Sequence, residues 1–114
     1  MGKEIIWIGG SKEELSVMPQ FIKSSFGGRL REIQSGIDPA DMKPLPQLGH
    51  GICELRESFD TNAYRLMYVA KLKKGIYVLD VFVKKSKTGI GLPRQDVERI
   101  KMRFKKALKQ DGET

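Results

Sequence analysis

AYRLMYVA (residues 63–70), KLKKG (71–75) and IYVLDVFV (76–83) are the segments that decide the fold. The outer two are rich in aromatic and β-branched residues, and the middle one carries Lys73-Lys74 followed by Gly75. That pattern predicts two antiparallel strands joined by a tight hairpin. Such a hairpin places Arg65 opposite Phe82 and Met67 opposite Asp80. Strand side chains alternate between faces. Arg65, Asp80 and Lys84 therefore share one face, with Asp80 diagonal to Arg65 at about 7–8 Å between backbones. The opposite face holds Tyr64, Leu66, Tyr68, Tyr77, Leu79, Val81 and Val83, with Lys85 emerging at its end, and is the expected core. A one-residue slip in register would separate Arg65 from Asp80.

Ile52-Cys53-Glu54-Leu55-Arg56 precedes the hairpin and also alternates. If Cys53 and Leu55 join the core, Glu54 and Arg56 turn to the Arg65 side. The expected result is a constellation of Glu54, Arg56, Arg65, Asp80 and Lys84 on one sheet face. It has two readings. One is a surface ion-pair ladder, each pair contributing at most about 1 kcal/mol. The other is an anion site, since a guanidinium is the side chain best shaped to hold a phosphate through two donors.

Further out, Glu4-Ile5-Ile6-Trp7-Ile8 reads as a first strand stopped by Gly9-Gly10. Ser11 with Glu14 forms a capping box that opens a short helix over about 11–17. Pro19 begins a longer helix over about 19–35, whose Phe21, Ile22, Phe26, Leu30 and Ile33 fall near helical spacing. Gly27-Gly28 costs that helix roughly 1 kcal/mol each and invites a kink or a close approach. Gly36 closes it. Three prolines and two glycines across 37–51 predict a loop, and Asp60-Thr61-Asn62 a turn. Pro93 starts a last helix with Asp96 in its first turn and a stripe of Val97, Ile100, Phe104, Ala107 and Leu108. The fold class is α+β, in the order β-α-α-β-β-β-α: a small antiparallel sheet flanked by helices. Residues 1–114 are expected to form a single domain.

The formal charge of +7 is unevenly distributed: residues 84–109 sum to +8 and the remainder to −1. Lys84, Lys85, Lys87, Arg94, Lys101 and Lys105 belong to that segment. A polyanionic partner explains the asymmetry, as does a solvated helix face whose cations suit the C-terminal end of the helix dipole. No apolar run reaches the length of a membrane span and the N-terminus does not read as a signal peptide, so no membrane association is expected. A lone cysteine, Cys53, is compatible with a reducing cytoplasm. One His and one Cys argue against a zinc site, and no metal or other cofactor is expected. His50, the single imidazole, lies between Gly49 and Gly51 in the loop, away from the Arg65 face. Trp7 and the tyrosines could stack on bases, but their strand alternation favours core packing.

Lys43 to Glu57 (KPLPQLGHGICELRE) resembles the "KPL..LG.G.YELRE" pattern of the phage-derived, HigB-like branch of the RelE/ParE toxins. Tyr64 to Tyr68 is similar to that family's "YR..Y" strand, and Val78 to Lys87 to its "VLHAFQKKSK" strand end. Gly89 to Asp96 resembles the lead into its last helix, and Phe21 to Gly36 its long second helix. The resemblance implies a RelE-like fold and a toxin of a type II toxin–antitoxin system. It further implies cleavage of mRNA at the ribosome, silencing by a cognate helix-turn-helix antitoxin, and a cytoplasmic location. Carried onto this chain, Arg65 matches the family's strand arginine, Arg56 the basic position of the strand before it, and Lys84 and Lys85 the basic strand end. Asp80 stands where the branch often has His, and Val83 where it often has Gln.

The expected chemistry is metal-independent: a 2′-OH attacks the adjacent phosphate, which requires a base, donors for the phosphorane and an acid for the leaving oxygen. Arg56 and Arg65 stay protonated and suit the clamp. Glu54 is the first candidate base and Asp80 the second, with Lys84 or Lys85 as acid or electrostatic stabiliser. Lys87, Arg94, Lys101 and Lys105 are expected to dock RNA or the ribosome. Two other readings remain open here: a non-nucleolytic toxin of the ParE type that inhibits DNA gyrase, and a plain basic RNA-binding domain.

Overall fold

A computed structural model describes residues 2–84 and 91–112. Its elements run β1 (Ile5–Trp7), α1 (Ser11–Ser16), α2 (Gln20–Gln34), β2 (Lys43–Pro44), β3 (Ile52–Phe59), β4 (Asn62–Val69), β5 (Ile76–Lys84) and α3 (Arg94–Gly112). The fold is α+β, with three helices around one five-stranded sheet in the order β1-β5-β4-β3-β2.

Two features correct the expected sheet. It is mixed rather than antiparallel, because β1 pairs with β5 in parallel, Ile6 lying opposite Tyr77. The two helices between β1 and the hairpin supply the crossover that a parallel pair needs. The 37–51 segment is also not all loop: Lys43 and Pro44 pair with Glu54 and Cys53 as an edge strand. Pro44 is tolerated there because an edge position leaves one side of the backbone without a ladder partner.

The register near the open end of the hairpin is as expected, with Arg65 opposite Phe82 and Met67 opposite Asp80. Beyond Met67 it shifts, and Tyr68 faces Val78. Leu79 is the extra residue of a β-bulge. Tyr77 and Leu79 consequently leave the Tyr64–Leu66–Tyr68 face and pack with Met67 and Val69 on the other.

That bulge contributes to a second core. On one face Ile22, Phe26, Leu30 and Ile33 of α2 cover Leu55, Tyr64, Leu66, Tyr68, Val78 and Val81. On the other, Ile100 and Ala107 of α3 cover Met67, Tyr77, Leu79, Ile52, Leu45 and Leu48. The Arg65 face is therefore closed over its inner half, where the α3 stripe must be buried. It is open only toward the outer ends of β3, β4 and β5.

Local details differ for physical reasons. Ser11 is not an N-cap: Gly10 holds that position and the Ser11 hydroxyl donates to the Val78 carbonyl at 3.0 Å. Glu14, released from a capping role, reaches across to Arg103. Phe21 is half-exposed and stacks on Phe59 at 5.5 Å instead of entering the core. Leu108 is likewise exposed. α2 runs unbroken through Gly27-Gly28, and a Cβ at either position would meet no more than the Arg31 side chain. Gly36, at φ +85°, ends the chain's helical course as expected.

Candidate functional site

β3 and β4 are paired so that Arg56 lies opposite Arg65 and Glu54 opposite Met67. All of these project to one face, and two like-charged guanidiniums are brought side by side. Glu54 sits between them: its Oε2 lies 3.1 Å from Arg65 Nε and its Oε1 3.7 Å from Arg56 Nη2. Glu54 and Arg65 are 3% and 6% exposed, whereas the Arg56 side chain is half in solvent.

The buried pair is not fully satisfied. Glu54 Oε2 and Arg65 Nε find no hydrogen-bond partner of acceptable geometry among the described residues. Their 3.1 Å approach is a charge contact without hydrogen-bond alignment. Buried polar atoms are paired in the great majority of cases, which sets this pair apart from the rest of the interior. Burial, then the neighbouring Arg56, pull the Arg65 guanidinium below its ordinary value, while Glu54 opposes them. Lys84 follows two residues after Phe82, the partner of Arg65, and so shares its face. Desolvation first, then Arg65 and Arg56, lower its ammonium from the usual lysine range, with Glu54 again opposing.

Glu54, Arg56 and Arg65 open onto a cavity of about 350 Å³, whose polar wall they form with Lys43 and Gln47. Leu45, Leu48, Leu92 and Val97 form its apolar wall. β2 supplies Lys43, the following turn supplies Leu45 to Leu48, and Val97 comes from the first turn of α3. Val97 belongs to the expected apolar stripe of α3, but Leu45, Gln47, Leu48 and Leu92 were not singled out by periodicity, because a loop has no period. The one available signal was the Lys43–Leu48 stretch itself.

Asp80 is placed elsewhere. It is fully buried beneath α3, and accepts from Arg99 Nε and Nη2 at 3.0 and 2.8 Å and from Arg103 Nη1 at 2.8 Å. Arg103 also donates to both oxygens of Glu14, which itself accepts from the Val81 amide. Asp80 thus belongs to a clamp joining α1, β5 and α3. Burial raises its carboxyl to about 6, with Glu14 adding to the rise and Arg99 opposing it. The clamp also removes two cations from the basic segment, since Arg99 and Arg103 are committed to Asp80, Asp96 and Glu14.

Arg94, Lys101 and Lys105 are exposed on α3, Arg94 beside Glu98 at 3.6 Å. Lys85 and Lys87 lie outside the described residues. His50 borders a separate cavity of about 240 Å³ with Cys53 and Tyr68. Burial, and then Asp38, push the Cys53 thiol up, which makes it a poorer nucleophile. Among the described residues no group of three His, Cys, Asp or Glu could hold a metal ion, and no helix is long and apolar enough to cross a membrane.

A family model described as "Phage derived protein Gp49-like (DUF891)" matches residues 13–105. No curated protein and no solved structure matches the chain.

Proposed function

Because the chain belongs to the phage-derived Gp49-like family, a RelE-like toxin family of type II toxin–antitoxin systems, we propose that it is an mRNA endoribonuclease acting on translated messages at the ribosome. Membership in such a family implies an antitoxin partner. The proposal takes that partner to be a helix-turn-helix protein, the working compartment to be the cytoplasm, and the fold to be RelE-like. The observation that carries the nuclease reading is the buried, unsatisfied Glu54–Arg65 pair facing a cavity that Arg56 also lines.

In this reaction the 2′-oxygen forms a bond to phosphorus and the bond from phosphorus to the 5′-oxygen breaks. The products are a 2′,3′-cyclic phosphate and a 5′-hydroxyl. Glu54 accepts the proton of the 2′-OH. Arg56 and Arg65 hold the non-bridging oxygens as negative charge grows on them. Lys84, its ammonium made more acidic by its surroundings, returns a proton to the 5′-oxygen. No water and no metal enters the balance. Asp80 is a weaker candidate base, because both its oxygens are engaged by arginines. The exposed cations Arg94, Lys101 and Lys105, with Lys85 and Lys87, dock RNA or the ribosome through salt-sensitive phosphate contacts.

The test is induced expression of the wild type and of Arg56→Ala, followed by mapping of mRNA 5′ ends. Wild type should arrest growth and cut translated messages; Arg56→Ala should cut them at least roughly tenfold less at equal soluble abundance. Growth arrest with intact messages and a DNA-damage response would replace this reading with inhibition of gyrase. RNA binding without arrest would leave a plain RNA-binding domain.

A further inference from the structure

Resting on the nuclease reading, we propose that the cavity admits one unstacked nucleotide, whose base lies in an aliphatic slot and is read by Gln47. A cavity of about 350 Å³ lies at the small end of ligand sites. It is too small for stacked bases or a duplex, and single-stranded RNA is where an unstacked base can be offered. The two walls divide the work. Arg56 and Arg65 lie on the sheet side, where the phosphate charge is matched. Leu45 and Leu48 from the loop, Leu92 from the approach to α3 and Val97 from its first turn line the same cavity, offering a flat base apolar contact.

Gln47 is the exposed polar residue between the two buried leucines of that wall. Its amide has an acceptor and two donors, the set needed to bond the edge of a base in two places. Arginine and lysine present donors alone and are matched to the phosphate, whereas the Gln47 amide can pair with a base edge that offers a donor beside an acceptor. Gln47 is therefore the specificity-determining residue, and the preference it imposes is for one base at one position of the cleaved message.

The experiment titrates the purified protein with inorganic phosphate and with the 3′-monophosphates of adenosine, cytidine, guanosine and uridine, followed by amide chemical shifts. The preferred nucleotide should bind at least roughly tenfold more tightly than phosphate and than the least favoured nucleotide. Gln47→Ala should erase the ranking among bases while phosphate still shifts the Arg56 and Arg65 signals. In cells the same variant should cut at a broader set of sequences. Nucleotides binding no better than phosphate, or a ranking unchanged in Gln47→Ala, would overturn the assignment. Base-selective binding in a protein that cuts no message would instead sink the nuclease reading and leave the slot standing.

Discussion

Arg65 Nε and Glu54 Oε2 lie 3.1 Å apart in the protein interior, yet neither atom makes an aligned hydrogen bond among the described residues. The pair is held close by charge, and each member is what makes burial of the other tolerable. Removing one partner leaves the other charged and buried. Arg65→Ala or Glu54→Leu should each lower stability by about 3–5 kcal/mol, read as a fall in the urea midpoint. The double variant Glu54→Leu, Arg65→Met should recover most of that loss and remain inactive in message cleavage. A double variant as unstable as the singles would show that the pair supports the fold in its own right.

Arg56 separates chemistry from folding more cleanly, because its side chain is 51% exposed and its 3.7 Å contact with Glu54 is loose. Arg56→Ala should change unfolding free energy by no more than about 0.5 kcal/mol. It should reduce cleavage roughly 10- to 100-fold, the loss expected when one charge-assisted donor to a phosphate is removed.

The clamp of Asp80 predicts a different phenotype. Arg103 joins Glu14, Asp80 and the Leu79 carbonyl at once, so Arg103→Met should cost about 3–5 kcal/mol. The loss should appear in thermal unfolding of protein that retains its helix content at low temperature.

Asp80 also sets a pH dependence of unusual sign. Its carboxyl rises from an ordinary 3.8 to about 6 on folding, so the folded state binds that proton more tightly. The stability Asp80 contributes is therefore fully present below about pH 3.8 and is lost as pH rises through about 6. Glu14 is held below its ordinary 4.5 by Arg103, Asp80 and Val81, against burial. Its contribution has the opposite sign and is lost only as pH falls below that value. Relative to Asp80→Asn, the wild type should lose roughly 2 kcal/mol between pH 4 and 7. Parallel urea titrations of the two proteins check this, and a constant difference would show that Asp80 does not titrate there.

Asp60 and Thr61, at φ +51° and +65°, make the two-residue turn between β3 and β4 in the left-handed region. A β-branched residue is strained there. Thr61→Gly should raise stability by about 1 kcal/mol, measurable as a higher melting temperature.

Alternation carried much of the site. Placing Arg65 opposite Phe82 put Arg65 and Lys84 on one face, turning Cys53 and Leu55 to the core brought Glu54 and Arg56 to it, and the structure has all four there. Asp80 also lies on that face, but its partners are guanidiniums 19 and 23 positions away on α3. Nothing local reports such a contact. The bulge at Leu79 was equally hidden, because Val78, Leu79 and Val81 are all apolar and fit either face. β1 read correctly as a strand, but its parallel pairing depends on how α1 and α2 route the chain. Leu45 and Leu48 were passed over because prolines mark a loop without saying what the loop covers.

The contact between Glu14 and Arg103 spans 89 positions, and β1 finds its only described strand neighbour in β5. During synthesis, the segment bearing Glu14 emerges long before either partner exists. The cavity wall at Val97 and the clamp at Arg103 lie on α3, so they leave the ribosome after the strands that carry Arg56 and Arg65. A truncated nascent chain would hold Arg56 and Arg65 without the enclosure that surrounds them. Closure of the cavity therefore waits on α3: Arg56 and Arg65 are synthesised first, and the wall that encloses them comes only with the helix.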